Sequence, residues 1–165
     1  MSFTSYSIFT GKPGPEQDSR ALATAAMLYQ VLADEHRLAL FARNCYWDTG
    51  GGNETTVRRY HQRFCMEMDI VIDAVRRRLC DTGYYTEGLL DEMLGDACNE
   101  AVRYIASGKE QLQLLQHRLE GLRNRLHRYL YHTCKCHIDG DMRAFLMGLS
   151  RQHEQWSAYL NIHLA

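Results

Sequence analysis

Apolar residues recur along most of this chain at intervals of three and four, the period of a helix with one buried face. After Asp18-Ser19, a pair suited to capping a helix start, Leu22, Ala25, Tyr29, Leu32 and Ala39 carry the rhythm toward Trp47. Gly50, Gly51 and Gly52 end it, because without Cβ atoms they accept left-handed dihedrals, and Asn53 suits the start of the next helix. A second helix follows from Val57, Tyr60, Phe64, Met68, Val71, Val75 and Leu79 and stops at Gly83, a span of about 28 residues or ~40 Å. Residues 84–106 are less regular, with GLLDEML as a short helix inside a long connection. Leu112, Leu115, Leu119, Leu122, Leu126 and Tyr129 then keep heptad-like spacing up to HTCKCHIDGD. A last helix runs through Phe145, Leu149, Gln152, Trp156 and Tyr159 to the C-terminus.

Four long amphipathic helices joined by a short, a long and a short connection predict an all-α bundle. The long connection implies that helices two and three are joined by a crossover, as in the ferritin-like four-helix bundle; tight loops alone would not need so many residues. Residues 1–17 hold Gly11, Gly14 and both prolines, Pro13 and Pro15, with no helical period, and are expected to form an extended or flexible arm ahead of a bundle at 18–165.

At 165 residues and 45% apolar composition, one such domain can bury a sizeable core. The balance of 19 basic against 20 acidic residues gives the whole chain no bulk attraction to nucleic acid or anionic lipid. No apolar run reaches a membrane span and Met1 to Gln17 lacks the pattern of a signal peptide, so a soluble cytoplasmic protein is expected. Six cysteines in such a chain are expected to be mostly reduced, with Cys45, Cys65, Cys80 and Cys98 as small core residues.

The segment LADEHRLALFARNCYWDTGG resembles the LADE-x-x-L-x-x-x-x-RN-[aromatic]-HW-x-x-x-G segment of the Dps miniferritins. Leu32, Ala33, Asp34, Glu35, Leu38, Arg43, Asn44 and Trp47 fall in register without a gap. MDIVIDAVRRRLCDTG is similar to the second signature of that family, LDEIIDEIAERIRTLG, at Asp69, Ile72, Asp73, Arg78 and Gly83. DGDMRAFLMGLSRQHEQWSAYL resembles its last helix through Leu146, Leu149, Arg151, His153, Glu154 and Leu160. The resemblance implies a stress-related homo-oligomer, from a homodimer up to a twelve-subunit shell, that oxidises and stores iron at a site shared by two subunits.

In that family one subunit supplies a His before the Trp, a His twelve positions later and an acid four beyond, while the other supplies the Asp and Glu of D-x-x-x-E. Carried onto this chain, those positions are Tyr46, Arg58, Gln62, Asp73 and Arg77, so only Asp73 keeps a family ligand. Ferrous iron requires imidazole or carboxylate donors, whereas an arginine neither ligates nor deprotonates. At ~5 Å and an effective dielectric near 20, each guanidinium would repel each unit of metal charge by about 3 kcal/mol. The expectation is a degenerate ferroxidase site without catalytic residues or cofactor, and a structural or regulatory role. Positions 58, 62, 65, 69, 73 and 77 share one helical stripe, where Asp69 and Asp73 could pair with Arg58 or Arg77 across a two-fold axis.

Other constellations are weaker. There is no Glu-x-x-His, which di-iron bundles of the larger ferritin kind need on two helices, and the reversed His117-x-x-Glu120 reads as solvated surface. HTCKCH, with Cys134, Cys136 and His137, is the best remaining metal candidate, for zinc, copper(I) or iron, yet lacks a second ligand pair and reads first as a helix-connecting turn. His61 and Cys65, one turn apart, read as packing at a subunit interface. An active metal oxidase using His61, Cys65 and residues 132–137 is the alternative from another class. DNA binding through a basic N-terminal arm is not expected, since only Lys12 stands there; the basic run of the third helix is the better patch for a DNA-binding shell.

Overall fold

The computed structural model describes residues 15–48, 55–83, 108–135 and 140–164. They form four helices: α1 (Pro15–Asp48), α2 (Thr55–Asp81), α3 (Gly108–Lys135) and α4 (Gly140–Leu164). α1 begins earlier than the capping pair suggests, so Pro15, Glu16 and Gln17 belong to the helix. Proline is tolerated at a first helical position because the N–H it lacks would have no intrahelical acceptor there. The rest of the expected arm, the GLLDEML helix and Cys98 lie outside the described residues.

Each three-four stripe becomes a buried seam. Leu28, Leu32 and Ala42 of α1, Phe64, Met68 and Val75 of α2, Leu115, Leu119 and Leu126 of α3, and Leu146 and Leu160 of α4 are all essentially inaccessible to solvent. Burial of each Leu contributes about 1.5–3 kcal/mol relative to an exposed one. Two expected core positions are corrected: Leu22, on the first turns of α1, is exposed, and so is Cys80, which falls on the outer face of α2 beside buried Leu79. Cys65 is half-buried and unbridged.

Pairings between helices fix the direction of each. Asp34 of α1 holds Arg125 of α3 at 2.6 Å, and Phe41 lies under the Arg118 guanidinium at 4.6 Å, so these helices are antiparallel. Gln116 donates to Ser157 at 2.8 Å while His127 meets Ser150 at 3.0 Å, making α3 and α4 antiparallel. Phe64 packs on Trp156 and Arg78 lies over Phe145, so α2 also opposes α4. It follows that α2 and α3 run the same way: the end of α2 and the start of α3 lie at opposite ends of the bundle, which requires the crossover predicted from connection length. At the close of α2, Thr82 N–H and Gly83 N–H reach the Leu79 and Cys80 carbonyls at 3.1 and 2.9 Å. Gly83 adopts φ 82°, a left-handed conformation that glycine accepts without Cβ strain.

Candidate functional site

α2 carries most of the positions to which the family site maps. Arg58, Gln62, Asp73 and Arg77 are all exposed on it, and Met66 and Ile70, 63% and 70% exposed, stand between them. Along a helix axis, Gln62 and Asp73 are separated by ~16 Å. One chain therefore cannot gather both ends of this stripe around one ion; only an antiparallel copy could. Tyr46 falls on α1, with its side chain outside the described residues.

The charges of this face are partly spent within the chain. Asp69 is hydrogen-bonded by Arg43 of α1, a partner within the chain that the stripe did not indicate. Arg63 donates to Glu67 at 2.7 Å. Asp73 and Arg77 form no ion pair with each other among the described residues. Beside them, burial, then the charges of Arg76 and Arg43, push the His36 imidazole down against a smaller upward pull from Asp69. Arg58 and Arg77 are exposed on this surface, and Arg76 is half-buried.

The bundle interior holds polar groups that sequence reasoning missed. Glu35 of α1 and His153 of α4 are both fully buried, with His153 Nε2 2.9 Å from Glu35 Oε1 and 3.2 Å from Oε2. His153 Nδ1 faces the Leu149 carbonyl at 2.6 Å and donates to it, since a carbonyl only accepts. Nε2 and the carboxyl therefore share one further proton. The signal was present: Leu28, Leu32, Glu35, Ala39 and Ala42 are one three-four stripe, as are Leu146, Leu149, His153, Trp156 and Leu160, so both groups occupy core positions.

His61 is also fully buried, inside the subunit and not at its surface, so it is not the interface residue expected from its spacing to Cys65. Neither ring nitrogen has a hydrogen-bond partner among the described residues, and burial pushes its pKa down to about 4. Burial likewise raises the Cys65 thiol, with a smaller lowering from Arg43, so it is a weaker nucleophile than a free cysteine. Trp156 Nε1 donates to Glu67 Oε2 at 2.5 Å.

Among the described residues, no three His, Cys, Asp or Glu side chains are placed to hold a metal ion. His132 and Cys134 fall in the last turn of α3, which extends to Lys135, and not in the connecting turn where the HTCKCH break placed them; Cys136 and His137 lie outside the described residues. No described helix is long and apolar enough to cross a membrane.

No protein-family model and no curated protein matches this sequence. Solved structures do match. Dps from Microbacterium arborescens in its high-iron form superposes with a TM-score of 0.77 at 16% identity, covering 91% of this chain and 95% of that one. A Dps mutant from Mycobacterium smegmatis gives 0.74 at 17%, covering 90% and 99%. Dps from Vibrio cholerae O1, described as a member of a broad superfamily of ferritin-like diiron-carboxylate proteins, gives 0.72 at 16%, covering 89% and 92%. The described helices thus share the ferritin-like fold of the Dps structures, and their α2 face exposes Arg58 and Arg77.

Proposed function

We propose that this chain is a cytoplasmic, non-catalytic relative of the Dps proteins that associates with copies of itself through the α2 face and does not oxidise ferrous iron there. One observation carries the reading: Arg58, Gln62 and Arg77 are exposed along a stripe whose middle is Met66 and Ile70. An apolar centre flanked by charge suits a protein contact. The same stripe does not suit a cation, because fixed guanidinium charges repel it and only Asp73 offers a donor of the family set. The role that follows is structural or regulatory, as a homodimer or closed shell, or as a partner of iron-oxidising paralogues. Iron or zinc at residues 132–137 would be a separate event.

The test is anaerobic ferrous titration followed by air. Slow oxidation at the rate of buffer alone is the expected result, and a fast ferric absorbance rise at low stoichiometry would overturn the reading. A variant with Tyr46→His, Arg58→His, Gln62→Glu and Arg77→Glu should gain that rise, provided light scattering shows it as oligomeric as the parent.

A further inference from the structure

Four aromatic rings connect the buried end of Trp156 with solvent. Trp156 is 4% exposed and its ring meets Phe64 edge-on at 4.8 Å; Phe64 stacks on Tyr60 at 5.8 Å, and Tyr60 stacks on Tyr159 at 4.4 Å with ring planes 11° apart. Tyr159 is 41% exposed. No gap along this series exceeds ordinary ring contact. Glu67 receives the indole N–H on one oxygen and the Arg63 guanidinium on the other.

We propose that Trp156, Glu67 and Tyr159 form a discharge route that carries an oxidising equivalent from the bundle interior to its surface. A strong one-electron oxidant takes one electron from the indole and is itself reduced. The indole radical cation is a far stronger acid than indole, and its Nε1 proton passes along the existing hydrogen bond to the Glu67 carboxylate. The neutral indolyl then takes an electron from Tyr159 through the intervening rings, recovers its proton from Glu67, and the Tyr159 phenol releases its own proton to water. The net change is one phenoxyl radical at the surface, one proton in solution and an intact tryptophan.

The end points follow from their surroundings. Burial acts to raise the Glu67 carboxyl, but hydrogen bonds from Arg63 and Trp156, with the Arg63 charge, outweigh it and hold the group below the usual carboxylate range, ready to accept. Tyr60 is a poor stopping point, because burial first, then the neighbouring Tyr159 and Glu67, push its phenol strongly up and make proton loss costly. Phe64 has no proton to lose and is too hard to oxidise, so it serves only as a contact. Tyr159 alone of these rings combines contact with the series and access to water.

The test is pulse radiolysis of the whole chain carrying Trp47→Phe, which leaves Trp156 as the only indole, with azide radical as the oxidant. Indolyl absorbance should decay as phenoxyl absorbance rises, with a first-order rate independent of protein concentration. Adding Tyr159→Phe, which keeps the ring stack, should abolish the delayed phenoxyl, whereas Tyr131→Phe on the exposed part of α3 should leave it unchanged. Adding Glu67→Gln should leave the indole as its protonated radical cation, with a distinct spectrum. Full phenoxyl yield without the Tyr159 hydroxyl, its loss in Tyr131→Phe, or neutral indolyl forming equally fast without the Glu67 carboxylate would each overturn the proposal.

Discussion

His61 makes stability depend on pH in a calculable way. Its ring is fully buried, finds no hydrogen-bond partner among the described residues, and has its pKa lowered from 6.5 to about 4 by burial. The folded chain thus keeps His61 neutral while the unfolded chain protonates it below pH 6.5, so its contribution is complete above that value and declines as pH falls toward 4. Between pH 7 and pH 4.5 the difference comes to about 2 kcal/mol, a large share of the 5–15 kcal/mol typical of a domain. Guanidinium unfolding at fixed protein concentration measures it, with the His61→Leu variant as reference because carboxylates and His36 titrate in the same window. The parent should lose about 2 kcal/mol more than His61→Leu between the two pH values. At pH 7 the variant should be as stable as the parent or more so, since leucine leaves no buried nitrogen unsatisfied. Parallel pH profiles for the two proteins would refute the reasoning and show that His61 finds a proton acceptor in the fold.

Three further outcomes test other contacts. Glu35→Leu or His153→Leu alone should cost about 3–5 kcal/mol by leaving one buried partner uncompensated, while the double variant should recover most of that; additive single losses in a double-mutant cycle would show the pair to be uncoupled. Met66→Glu with Ile70→Glu should lower the mass seen by light scattering at little cost to the monomer's unfolding midpoint, since both side chains are mostly exposed; an unchanged mass would place self-association on another face. Gly83→Ala should cost about 1 kcal/mol in denaturant unfolding through its positive φ, and a neutral result would mean the end of α2 relaxes freely.

Much of the architecture could be read from residue order alone. The three-four rhythm of Val57 to Leu79 and of Leu112 to Tyr129 needs only one buried face per helix, so it marks α2 and α3 whatever they pack against. Gly83 marked the end of α2 because its conformational freedom is local. The polar and charged chemistry of Arg58, Gln62 and Arg77 was legible for a similar reason, since it does not depend on their neighbours, and the structure leaves all three exposed. Where a stripe is interrupted by a polar residue, however, periodicity reports a position and not a partner. Glu35 and His153 are 118 residues apart in sequence, and nothing local to either indicates that the other satisfies it. The stripe on α2 does not reveal that Asp69 meets Arg43, because Arg43 lies on a different helix. The spacing of His61 to Cys65 shows a shared side of α2 but not that the His61 end of it faces the core. Helix and charge inventory thus belong to the sequence by itself, through short-range sterics and fixed side-chain chemistry; which buried polar groups meet, and which stay alone, is decided only when four helices converge and exclude water from the space between them.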